Sequence, residues 1–259
     1  MLNPTQAFAA PQADARALYL GGAVPKRVGC TEQALVVTNA RAQTWRYPVA
    51  RVARVVSSPA VDWSGAALSL CMRRGISIAW TDAKGHALGV CYSQQRDQIA
   101  NATALQMLLE APCGRGRYDN WRRRCRLTIL KRWAAGRPGG VTPQAWEGHK
   151  RQWVYAGELD EHLPAGLRPL CLAFVAGLLQ RHRMPAVWWD AEARRIDLDE
   201  DLCQLAWADM NLCTGNLADT GEGERPLTEL FERWASRNGA AVLGHLHALE
   251  RLALKALHE

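Results

Sequence analysis

The chain predicts an α+β protein, with a small β-sandwich domain over residues 1–95 followed by an all-α domain over residues 96–259. Three observations carry this. Up to Gln94-Gln95 the apolar residues come in short β-branched or alternating runs bounded by polar turns. A single helical signal interrupts those runs. Beyond Gln95 the apolar residues recur with helical period. At 259 residues the chain is long enough to bury a core of ordinary size.

The elements follow in order. Ala17–Gly21, Leu35–Val37 and Val52–Val56 read as strands. In Thr44–Pro48, Trp45 and Tyr47 alternate with polar neighbours, which predicts a half-buried strand. Ser64 is placed to cap a short helix whose stripe is Ala67, Leu68, Leu70 and Cys71, with Gly75 as its left-handed stop. Ile76, Ile78 and Trp80 then share one face of a strand, and Ala87–Tyr92 forms the last. Helices are expected at Ala100–Glu110, at Tyr118–Ala135, after the Thr142-Pro143 start signal, and at Leu167–Arg183, which ends before Pro185. Ala186–Trp189 resembles a strand. Helices follow at Glu200–Leu212 and Leu227–Arg237, and Gly239–Leu257 forms another.

Composition narrows the function classes. No apolar run approaches the ~18 residues of a membrane helix, and Met1–Asp14 lacks the charged and apolar parts of a secretory signal. These features predict a cytoplasmic protein with no membrane partner. The 8 cysteines form no C-x-x-C pair, which argues for buried thiols rather than a zinc site. No phosphate-loop glycine pattern and no serine-hydrolase context occurs. The net charge of +7 is unevenly spread: residues 96–154 hold 12 Lys/Arg against 4 Asp/Glu, while residues 155–259 hold 10 against 17. A basic middle of this kind predicts a face turned toward a polyanion.

That basic excess is concentrated in one helix. Arg115, Arg117, Arg122, Arg123, Arg124, Arg126, Lys131 and Arg132 lie together, opposed by Asp119 and interleaved with Trp121 and Trp133. Clusters like this bind phosphate backbones through counterion release and bidentate guanidinium geometry. All eight are therefore candidate DNA contacts. Two groups of acids stand out further on: Glu147, and the run Asp197, Asp199, Glu200 and Asp201. Asp197 and Glu200 are three apart, so one helical turn presents both carboxylates together.

The order of elements over residues 17–92 resembles the N-terminal domain of the CRISPR-associated endonuclease/integrase family, the DNA-joining subunit of spacer acquisition. Glu147-Gly148-His149-Lys150-Arg151-Gln152-Trp153 is similar to the family's E-G motif, with its aromatic one position early. Ile196-Asp197-Leu198-Asp199-Glu200-Asp201-Leu202 is similar to its later acidic motif. The resemblance implies Glu147, Asp197 and Glu200 as catalytic residues and metal ligands for Mg or Mn. It also implies DNA as substrate, a homodimer formed through the β domain, and a second small subunit of the integration complex as partner. The family's histidine ligand has no counterpart. The matching stretch, His182–Asp190, has His182 on the wrong side of Pro185, and the interval from Glu147 to the acidic motif is shorter than the family's. Three readings stay open: an active metal-dependent DNA endonuclease/integrase, a catalytically impaired relative serving as a dimeric DNA-binding scaffold, and an unrelated basic nucleic-acid-binding protein.

Overall fold

A computed structural model of the chain describes residues 15–22, 24–82, 86–91, 98–190, 194–214 and 227–256. Among the described residues, eight strands, one α-helix and a 3-10 turn at Val49–Arg51 make up the first part. The strands and the α-helix are β1 (Arg16–Leu20), β2 (Lys26–Cys30), β3 (Ala34–Asn39), β4 (Thr44–Pro48), β5 (Val52–Ser57), β6 (Val61–Trp63), α1 (Gly65–Arg74), β7 (Ser77–Thr81) and β8 (Ala87–Cys91). They form two four-stranded sheets, ordered β1-β5-β7-β8 and β4-β3-β2-β6. β5 runs parallel to both its neighbours, while β8 is antiparallel to β7.

Side-chain alternation explains how β5 and β7 serve two cores at once. Val55 and Ile78 point into the sandwich beside Val28, Leu35 and Leu70. Their neighbours Val56 and Ala79 join the core of the helical part instead. The first sheet is thus covered on both faces, by the second sheet and α1 on one side and by a helix on the other. That helix is α5 (Arg168–Arg181), buried nearly all round from Pro169 to Gln180, as expected of a helix between layers. Its small residues allow close approach: a Cβ at Gly177 would sit 3.5 Å from Ser77 Oγ.

The remaining elements are α2 (Gln98–Glu110), α3 (Gly114–Ala135), α4 (Pro143–His149), β9 (Val187–Asp190), β10 (Arg194–Asp197), α6 (Leu198–Thr214) and α7 (Leu227–Ala256). α4 runs on into a π-helical turn, Lys150–Ala156. β9 and β10 form a short antiparallel ribbon leading straight into α6. A polar clamp joins the halves. Glu232 on α7 accepts hydrogen bonds from Tyr19 on β1 and from Arg54 on β5, each at 2.5 Å. The Arg54 guanidinium lies 5.4 Å from the ring centres of Phe174 and Phe231.

Several local signals match the structure. Ser64 Oγ accepts from Ala67 N, and Gly75 ends α1 at φ 65°. Thr142 Oγ1 accepts from Ala145 N, with Pro143 opening α4. Other expectations need correction. β2, β6 and β10 are additional to the expected strands, and Trp45 is 41% exposed rather than half-buried. α3 begins at Gly114, four residues before the expected Tyr118, because Cys113 enters it in the left-handed region at φ 61°. A Cβ at Gly114 would lie 2.0 Å from Leu108 O, so only glycine fits that corner. The expected break before Gly239 is absent: α7 is continuous there, and a Cβ at 239 would come within 3.2 Å of Phe174. That glycine serves packing, not termination. The expected domain junction at residue 95 falls outside the described residues.

Candidate nucleic-acid interface and carboxylate cluster

α3 is the element on which the basic residues converge, and its two sides differ. The side facing α6 is buried through Tyr118, Trp121, Cys125, Ile129, Leu130 and Trp133. Two arginines on that side meet carboxylates. Asp201 accepts from Tyr118 Oη at 2.7 Å and from Arg122 Nη1 at 2.6 Å. Asp209, 1% exposed, accepts from Arg132 and from Trp234 Nε1. The pairings rise together along both helices, so α3 and α6 lie side by side in the same direction. Burial, reinforced by Asp201, holds the Tyr118 phenol far above its ordinary range. Burial works against the charge on Arg122, but the Asp201 carboxylate outweighs it and the guanidinium pKa is raised.

The other side of α3 faces water. Arg123, Arg124 and Lys131 are exposed. Arg123 reaches Asn120 Oδ1 at 3.3 Å. Arg115 and Arg126 are intermediate. Arg115 lies 3.7 Å from Asp119 and over the Tyr118 ring. Arg126 stacks over Trp153 at 5.0 Å, and burial followed by the nearby Arg122 charge lowers its pKa. Arg117 is also half-buried. Arg115, Asp119, Arg122, Arg123, Arg126 and Tyr155 together line an open cavity of about 210 Å³. Tyr155, at the end of the π-helical turn, is 61% exposed. Nothing in the sequence singles it out, because its place depends on a helical form that periodicity does not signal.

The expected catalytic carboxylates are each accounted for. Glu147 lies on the exposed α4 and pairs with Lys150 at 3.2 Å. Asp197 is the last residue of β10, immediately before α6, and is half-buried. Glu200, in the first turn of α6, accepts from Arg168 Nη2 at 2.6 Å and from Gln204 Nε2 at 3.2 Å. The acids of that turn also sit where a helix dipole favours negative charge. Among the described residues no group of three or more His, Cys, Asp or Glu lies close enough to hold a metal ion. Lys150 and Arg168 take the carboxylates of Glu147 and Glu200 respectively. His149, beside Glu147, packs edge-on against Trp133 at 4.7 Å. Cys71, Cys125, Cys171 and Cys203 are buried as expected, and burial pushes the thiols of Cys71, Cys125 and Cys203 up to about 12; Cys113 departs from the expectation and is exposed at the start of α3. Among the described residues, no helix is long and apolar enough to cross a membrane.

Comparison with known proteins adds to this geometry. The sequence family described as CRISPR associated protein Cas1 matches residues 24–111. No curated protein matches the chain. Among solved structures, a CAS1 protein from Thermotoga maritima superimposes with a TM-score of 0.60 at 15% identity, covering 92% of this chain and 97% of that one. A casposase bound to its integration product gives 0.59 at 9% identity, covering 93% and 91%. A TtCas1–DNA complex gives 0.50 at 14% identity, covering 94% and 91%. At these identities the likeness is one of fold.

Proposed function

We propose that this chain, of the CRISPR-associated Cas1 family by its residues 24–111 and Cas1-like in its fold, is a DNA-binding protein that keeps the family scaffold while Glu147 and Glu200 are paired with Lys150 and Arg168. The observation that carries this is the outward side of α3. Arg123, Arg124 and Lys131 stand exposed there, while Asp201 and Asp209 pair with arginines on the inward side. Exposed guanidinium and ammonium groups in a row bind phosphates without regard to sequence, and such binding weakens steeply with salt. The complex with DNA reported for a protein of the same fold is consistent with this. The test is fluorescence anisotropy of labelled duplex and branched DNA across a salt series. The reading predicts binding with a steep negative slope, and a flat salt response would overturn it.

A second reading is favoured by one specific observation. The acids Asp197, Asp199, Glu200 and Asp201 lie at the junction of β10 and α6, and hard divalent cations prefer oxygen ligands. On this reading Glu147, Asp197 and Glu200 hold Mg or Mn for strand cutting or joining, which requires them to come closer together than they stand here and to leave Lys150 and Arg168. A bound cation would supply charge stabilisation at a reacting phosphate. Nicking or joining of branched DNA with Mn, lost in Glu147→Ala and Glu200→Gln, would favour it over the scaffold reading. We further propose a homodimer through the β domain and association with the small second subunit of an integration complex. Light scattering of the purified chain, alone and with that subunit, tests both.

A further inference from the structure

We infer that the cavity walled by Arg115, Arg122, Arg123, Arg126 and Tyr155 is a binding site for a phosphate monoester. Its charge is the first argument. The four guanidinium groups are opposed by Asp119 in the wall and by Asp201 behind Arg122, leaving two positive charges in excess. A phosphate monoester carries about −1.5 to −2 charges near neutral pH, a closer match than the single charge of a backbone diester.

Hydrogen bonding is the second. Arg115 Nη1 and Arg122 Nε lack a hydrogen-bond partner among the described residues, which is costly for a charged donor; both have almost no accessible surface, so each guanidinium would turn toward the cavity to reach an anion. Guanidinium forks satisfy phosphate oxygens two at a time. The burial of Arg126 next to Arg122, already unfavourable for its charge, is relieved by an anion there.

Size is the third. At about 210 Å³ the cavity is smaller than the ~300–1,000 Å³ of a site for a whole small molecule. It suits a phosphoryl group and the start of its ester, with the rest of the ligand passing the exposed Tyr155 into solvent. A terminal phosphate of a nucleic-acid strand and a free phosphate compound share this chemistry. The DNA reading is needed only for the first source.

The test uses the full chain and two duplexes with overhangs that differ only in a terminal phosphate or hydroxyl. The phosphorylated end is expected to bind about tenfold tighter, as one added charge-assisted hydrogen bond would give. Arg123→Ala and Tyr155→Ala, both at exposed positions, should reduce that preference. Lys131→Ala, outside the cavity, should weaken both ends alike. In a second arm, inorganic phosphate and a nucleoside 5′-monophosphate are titrated against tryptophan fluorescence, since Trp153 lies under Arg126. Equal binding of the two ends, with phosphate binding that Arg123→Ala removes, would identify a free phosphate compound as the ligand. Equal ends together with no such phosphate binding would overturn the site. Failure of the hydroxyl-ended duplex to bind at all would overturn the DNA reading, and the titration alone would then decide this one.

Discussion

The two sides of α3 carry the same residue type to different ends. On the side facing α6, Arg122 and Arg132 meet Asp201 and Asp209, the second of these carboxylates fully buried. On the opposite side Arg123 and Arg124 meet water. Successive arginines differ only by the rotation of a helix, about 100° per residue. Which of them stabilises the fold and which is free for a ligand is decided by whether α6 places an acid opposite. A count of basic residues therefore overstates an interface. Of the eight candidates, Arg122 and Arg132 are held by acids of α6, Arg122 while also lining the cavity beside Tyr155.

The contrast can be broken most forcefully on the inward side. Asp209→Ala should destabilise the protein by about 2–4 kcal/mol, because it leaves Arg132 and Trp234 Nε1 without their buried acceptor. Urea denaturation measures this, and an effect no larger than that of a surface substitution would mean the buried pair matters little. On the outward side the triple change Arg123→Ala, Arg124→Ala and Lys131→Ala should leave stability within about 0.5 kcal/mol per site. It should also reduce the salt slope of DNA binding by roughly 2–3 units, about 0.9 for each phosphate no longer neutralised. An unchanged slope would remove this side from the interface. Tyr118→Phe deletes one hydrogen bond to Asp201 and should cost about 1 kcal/mol. A near-zero effect would assign Asp201 to Arg122 alone.

The smallest effect is one of pH. His182 titrates below its ordinary 6.5, chiefly through burial and then through His247. His245 is lowered by burial and then by Arg132. The unfolded chain therefore takes up protons near 6.5 that the folded chain refuses. The stability these groups contribute is complete above that pH and declines as pH falls through it toward their lower folded values. Glu250, raised above 4.5 by burial, acts in the opposite direction at more acid pH. The melting temperature should drop between about pH 7.5 and about pH 5.5, and His245→Gln should shrink the drop. A melting temperature insensitive to pH in that window would refute it.

The fold was legible where a residue's neighbours in sequence decide its environment. Ser64, Gly75 and the Thr142-Pro143 pair announce their helix ends because capping is a local matter. β2 escapes notice because Lys26–Cys30 turns only Val28 fully inward, and β6 because three residues show no period. Gly239 misleads because a glycine that admits Phe174 looks, in one dimension, like a glycine that ends a helix. The site was less legible for the same reason on a longer scale. Arg122 and Asp201 are 79 positions apart and Arg132 and Asp209 are 77 apart, so no motif joins them. The acids of Asp197–Asp201 are visible as a group. Arg168, which donates to Glu200, stands in the sequence as an ordinary arginine before an apolar helix.

The clamp on Glu232 has a consequence for synthesis. Its acceptor lies 213 residues after Tyr19 and 178 after Arg54. A chain leaving the ribosome can pair its strands early, yet Arg54 then holds a guanidinium with no counter-ion against a forming apolar layer. Only when α7 has emerged does that charge find its carboxylate. Nascent chains stopped short of α7 lack that counter-charge and should remain more open to protease at β5 than the full chain.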